Sequence, residues 1–206
     1  MITARRVVLI HTNYDVETET TSKWALEARH SLTLCDHLHT DQVVSARLRT
    51  ALQKLDQGGI IAFYGHGTTR ELLGSNDTPI VGTTGSCVLP LELAKMRVYA
   101  VACFAGVHLG PALGNAQCEF IGYSERFIFA PGFEESFSEV VNNALIEWSR
   151  GAHVQDVFER LQRAWEELAD TLTTDPPREP RLLSFKAVAA GFALMNANCL
   201  THFTTP

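Results

Sequence analysis

Short apolar runs alternate with amphipathic stretches along most of this chain. Val7-Val8-Leu9-Ile10 is the first run, and Arg6 to Ile10 reads as a buried strand. Thr20 to His30 has helical spacing through Trp24, Ala25 and Ala28. Ser31 to Leu38 fits a short second strand. Thr40 is placed to cap a helix carrying Val44, Leu48, Ala51, Leu52 and Leu55 at helical intervals. Gly58-Gly59 ends that helix. Ile60 to Tyr64 is then a fully apolar run that stops at Gly65-His66-Gly67. Val98 to Cys103 is another, followed by Phe104-Ala105-Gly106.

The second half is mostly helical in pattern. Val107 to Gln117 is helix-like, and Glu119 to Tyr123 is a strand. Phe137, Val140, Val141, Ala144, Leu145 and Trp148 form one apolar stripe. Val154, Val157, Phe158, Leu161, Trp165 and Leu168 form a second, with Gly151 suited to a C-cap between them. Thr171 to Arg181, with three prolines, reads as a linker. Leu182 to Phe203 fits either a helix or a strand. Thr68 to Pro90 differs from the rest. It is rich in Gly, Ser and Thr and predicts a long loop over a cleft, with at most one short strand pair. Strands alternating with helices predict the α/β class: a three-layer α/β/α sandwich on a mostly parallel central sheet.

Two strand ends carry the candidate chemistry. In a parallel sheet, ligands bind at the carboxyl ends of the strands. Neighbouring strands lie about 4.8 Å apart, so His66 and Cys103 are able to share one cleft. A thiol beside an imidazole is the minimum equipment for nucleophilic catalysis. A helix starting near Ala105 would turn its free N–H groups toward the sulfur and favour the thiolate. Gly67 and Gly106 leave room for a substrate backbone.

Tyr64-Gly65-His66-Gly67 and Val101-Ala102-Cys103-Phe104-Ala105-Gly106 resemble the caspase-type cysteine peptidases, a group that includes caspases, metacaspases, separases and bacterial CHAT domains. The CHAT branch is the most similar, over roughly Val7 to Leu168. The resemblance implies a caspase-like fold, with His66 as general base and Cys103 as nucleophile. The amides of Gly67 and Cys103 would form the oxyanion hole. It implies no cofactor, no metal and no acidic third member. It also implies a protein substrate and a separate activator or assembly, in a setting such as bacterial defence or regulated cell death.

The specificity pocket does not carry over. Metacaspases place an Asp where Val101 stands, and only half of the caspase Gln-Ala-Cys-x-Gly pattern is present. Asn13, Asp15 and Glu17, after the first strand, and Ser124, Glu125 and Arg126, after the strand that follows the nucleophile, are the candidate substrate-binding residues, with a basic P1 residue expected and Asp15 or Glu125 as its anion. Two alternatives share the motif: a catalytically silent interaction module, and a hydrolase of small amides or esters. A cysteine phosphatase is excluded, because its Arg would fall at Leu109.

Composition narrows the setting. At 206 residues one domain, 1–206, is expected. Mean hydropathy is +0.01 and net charge −6, which gives no footprint for nucleic acid or an anionic membrane. No signal peptide or membrane span is visible. Five cysteines without repeated spacing argue for reduced thiols and a cytoplasmic location. Cys35, Cys118 and Cys199 read as core, and Cys87 as a loop thiol. His37-Leu38-His39 reads as a solvated strand end.

Overall fold

Strands that are apolar on both faces need cover on both faces, and helices supply it here. The computed structural model describes residues 4–33, 35–174 and 180–204. Its first half runs β1 (Val7–His11), α1 (Val16–Ser31), β2 (Cys35–His39), α2 (Ser45–Leu52), β3 (Ile60–Tyr64), β4 (Glu71–Leu73) and β5 (Pro79–Gly82). Then follow β6 (Arg97–Val101), α3 (Leu109–Asn115), β7 (Glu119–Tyr123), α4 (Glu134–Ser149), α5 (Val154–Thr174), α6 (Pro180–Cys199) and β8 (Leu200–Phe203).

Six strands form one sheet in the order β2-β1-β3-β6-β7-β8. All neighbours are parallel except β8, which runs antiparallel to β7 at one edge. Side chains alternate between the faces. Val7, Leu9, Ala62, Tyr64, Tyr99 and Val101 pack on one side with Trp24 of α1, Trp148 of α4, Trp165 of α5 and Ala193 of α6. Val8, Ile10, Ile61, Phe63, Val98 and Ala100 pack on the other with Leu48 of α2, Leu72 of β4, Val81 of β5 and Leu113 of α3. The architecture is a three-layer α/β/α sandwich. No described helix is long and apolar enough to cross a membrane.

Local chemistry moves several boundaries. α1 begins at Val16, because Asp15 and Thr18 close a reciprocal capping box. Thr40 does not cap α2. It sits in a left-handed conformation (φ 51°) at the start of a short 3₁₀ turn, and α2 starts at Ser45. Thr68 to Pro90 is not a free loop. The β4–β5 hairpin buries Leu72, Ile80, Val81 and Val88 in the second core. Arg49 of α2 pins its far end, reaching Glu92 and the carbonyls of Ser86 and Cys87. Leu182 to Phe203 is both options in turn, α6 and then β8. Of the expected linker, Thr171 to Thr174 continues α5, and 175–179 lie outside the described residues.

Candidate active site

The strand order reverses between β1 and β3. From β1 the chain steps outward to β2, returns to β3, and then moves the other way through β6 and β7. Such a reversal opens a crevice at the carboxyl ends of the two diverging strands. Asp15 follows β1, His66 follows β3, and Cys103 follows β6, the next strand along.

His66 is held from several directions. Gly65 N–H donates to the Val101 carbonyl (3.2 Å), and Leu73 N–H donates to the His66 carbonyl (3.0 Å). The His66 ring donates from Nε2 to Asp15 Oδ2 at 2.5 Å. Tyr14 lies across the same ring at 5.7 Å, and its hydroxyl donates to Asp77 at 2.5 Å. The loop after β1 is thereby tied to the hairpin. His66 Nδ1 has no hydrogen-bond partner among the described residues.

Asp15 serves two structures at once. Its Oδ1 accepts from the Thr18 amide (2.8 Å) and hydroxyl (2.7 Å), and its Oδ2 meets His66. Burial pushes its carboxyl upward, but the Thr18 bonds and His66 outweigh that, and it sits below its ordinary value. The expectation of Asp15 as an open anion for substrate is revised accordingly, since both oxygens are engaged.

Cys103 ends the β6 segment in a turn. Phe104, next to it, is left-handed (φ 60°) and fixed by its N–H to the Glu125 carbonyl (2.8 Å). A non-glycine residue in that conformation stores strain, which is common where a side chain must be presented. No helix starts at Ala105. α3 begins at Leu109, and the amides of His108 and Leu109 both donate to Thr69, so the expected helix-dipole support at the sulfur is absent. The thiol donates weakly to the Phe127 carbonyl (Sγ to O 3.8 Å). Burial raises its pKa, with the Phe127 bond and the charge of Arg126 opposing.

Gly67 and Cys103 are brought into contact. A Cβ on Gly67 would stand 2.7 Å from the Cys103 carbonyl, so only glycine fits there. The Gly67 N–H has no acceptor among the described residues, and the Cys103 N–H turns toward its own sulfur. Gly106 serves a different end from the one expected. A Cβ there would collide with Thr201 of β8, so its smallness allows strand packing rather than substrate approach.

A small pocket of about 80 Å³ joins these groups. His66 and Cys103 line it with Thr18, Thr21 and Glu17 of α1 and the rings of Phe127 and Phe129. Those rings meet Trp24 edge-on at 6.2 and 5.0 Å. Glu125 and Arg126 are exposed and stand outside the lining, although Arg126 lies near enough to bias the Cys103 thiol. Sequence reasoning misses the Asp15–His66 pairing and the two Phe walls. The Asp15-x-x-Thr18 capping pattern is the available signal for the first.

Cys87, Cys118 and Cys199 are buried, and Cys35 is half-buried like Cys103. Burial lifts Cys35 and Cys199 to about 11 and Cys118 to about 12. Cys87 is buried and donates to the Thr84 carbonyl (3.1 Å). Iodoacetamide is therefore expected to label Cys103 first, at a rate that keeps rising with pH beyond the ordinary thiol range because its own pKa is raised. Peptide mapping by mass spectrometry reads the order, and Cys87 as the fastest site would move the reactive centre into the hairpin loop.

His37 and His39 are half-buried rather than solvated, because His11 of β1 completes a stack. His11 Nε2 lies 2.5 Å from His37 Nε2, and Ser22 holds His11 Nδ1 at 2.7 Å. Burial lowers both His11 and His37 to about 4. Neutral rings allow one N–H to donate to the other's lone pair. No group of His, Cys, Asp or Glu among the described residues is arranged to hold a metal ion. No protein-family model, curated protein or solved structure matches this chain.

Proposed function

We propose that this chain is a cysteine endopeptidase that cleaves a protein partner through Cys103 and His66. The observation that carries this reading is convergence. One crevice holds a presented thiol, an imidazole backed by a carboxylate, and the backbone amides of Gly67 and Cys103 close to both. The thiol gives its proton to His66 Nδ1, the nitrogen that Asp15 leaves free. The sulfur attacks the scissile carbonyl carbon, and the amides of Gly67 and Cys103 receive the developing oxyanion. Each such donor contributes about 3 kcal/mol in the transition state. The amine leaves with the proton from His66. Water then attacks the thioester, passes its proton to His66, and releases the acid with the thiol restored. Asp15 stabilises the imidazolium through Nε2–H. The family resemblance suggests a dedicated target, a separate activator and a role in bacterial defence.

The pocket also suggests what it accepts. Two aromatic faces and the Glu17 carboxylate at the rim favour a cationic P1 side chain, by cation–π contact and a charge-assisted hydrogen bond. Glu17 takes the part that the sequence pattern gives to Asp15 or Glu125. A P1-scanned peptide library tests both readings, read by mass spectrometry. Cleavage after Lys or Arg is expected, and Glu17→Gln is expected to lower kcat/KM for those substrates about tenfold. A preference for uncharged P1 residues would make the pocket an apolar slot. Absence of cleavage across the library, with or without cell extract as a source of activator, would favour a silent interaction module.

A further inference from the structure

We propose that the end of the sheet opposite Cys103 carries a second site, which binds a small molecule bearing phosphate groups. A cavity of about 490 Å³ opens there, at the amino ends of β1, β3, β6 and β7. Arg5, Lys95 and Arg97 line it, and Glu119 is the one carboxylate among its lining residues. The local excess is two positive charges, in a chain whose net charge is −6. A charge imbalance that runs against the whole molecule needs a local reason.

Two of the three cations keep donors that the protein does not use. Arg5 Nε is buried without an acceptor, and its Nη1 reaches the Gly58 carbonyl only at 3.3 Å. Arg97 is better served: its Nε pairs with Glu119 at 2.6 Å, its Nη1 lies 3.5 Å from the Ala152 carbonyl, and its guanidinium lies over the Trp148 ring at 5.5 Å. The Lys95 ammonium makes no hydrogen bond or ion pair among the described residues. Burial depresses Arg97, with Glu119 opposing and the charge of Arg5 adding to the depression. The Arg5 guanidinium and the Lys95 ammonium thus line one cavity with donors the protein does not use, and Arg97 adds its charge beside them.

Two residues of the rim are held in strained conformations. Lys95 (φ 64°) and Gln117 (φ 63°) are both left-handed, and the Lys95 N–H donates to the Gln117 carbonyl at 2.9 Å. Side-chain-bearing residues adopt that conformation at a steric cost. Here the pair fixes two turns around the opening.

A phosphate dianion matches the two-charge excess. Guanidinium forks suit its oxygens in bidentate fashion, and the lysine adds a point charge. The cavity is larger than one phosphate needs and falls within the range of small-ligand sites, roughly 300–1,000 Å³. Gln57 and Gln117 also line the cavity, and their amides supply the chemistry to bond hydroxyls or a second phosphate. The site lies one strand length from the Cys103 pocket and is independent of the peptidase reading.

Calorimetric titration with inorganic pyrophosphate, ATP and adenosine at constant ionic strength tests the proposal. Saturable binding of pyrophosphate and ATP, but not adenosine, is expected. Arg5→Gln and Lys95→Glu, the latter at an exposed position, are each expected to weaken it about tenfold or more. Cys103→Ala should leave it unchanged. ATP binding much more tightly than pyrophosphate would identify a nucleotide, and equal affinities would identify the phosphates alone. No saturable binding of either anion at millimolar concentration would overturn the site. Binding that both variants retain in full, with circular dichroism confirming that they fold, would do the same.

Discussion

Replacing Cys103 with Ala is expected to abolish peptide hydrolysis, by at least about 10⁴-fold, while the melting temperature stays close to that of the parent. The two halves of this result have separate causes. In the proposed mechanism the sulfur is the atom that bonds to the substrate, so its removal takes away the nucleophile. It contributes little to packing. It is half-buried, and its one hydrogen bond is the 3.8 Å contact with the Phe127 carbonyl. Truncating such a group costs about 1 kcal/mol or less. Hydrolysis assays beside a thermal melt give both readouts. Retained cleavage would remove Cys103 from the mechanism. A large drop in melting temperature with residual activity would mark the thiol as a packing group.

Asp15→Asn is expected to lower kcat by about 10²- to 10⁴-fold with little change in KM. The substitution separates the two tasks of this residue. Asn caps helices as well as Asp, so α1 keeps its first turn. The negative charge facing His66 Nε2 is lost, and with it the stabilisation of the imidazolium. Asp15→Ala removes the cap as well, and should also cost about 1 kcal/mol of stability. The pH dependence has a definite sign. The Asp15 carboxyl sits below its ordinary value. Its stabilising contribution is therefore complete above the unfolded-state value of about 4 and is lost as pH falls through the lower folded value. Asp15→Asn should flatten that acid-side loss in a pH series of melting temperatures. An unchanged kcat in Asp15→Asn would reduce the carboxylate to a helix cap.

Much of the site is legible in the amino-acid order alone. A buried parallel strand is apolar on both faces, so β1, β3, β6 and β7 stand out as runs, and the residues that end them are visible by position. That is enough to place His66, Gly67 and Cys103 at one end of a sheet. The amphipathic stripes of α4 and α5 are equally plain, because a helix covering a sheet must show a 3.6-residue period. α6 is not readable in this way. It is apolar almost all round, and such a segment carries no period to separate helix from strand.

Position along the chain determined which residues reach the cleft, since strand polarity is a local property that each run carries by itself. The tertiary structure decided what those residues meet. Asp15 reaches His66 because β1 and β3 are neighbours in the sheet, with Val7 opposite Ile60, and the strand order reverses between them. Asp15 alone was equally compatible with a cap, a substrate anion or a catalytic partner. Phe127 and Phe129 became pocket walls only because the chain after β7 folds back over α1. His11 met His37 and His39 through pairing of β1 with β2. The hairpin became a core element once Leu72 and Val81 found the second face of the sheet. Each of these contacts joins residues far apart in sequence. Side-chain type and spacing encode burial and direction, whereas a partner is selected by the packing of whole elements.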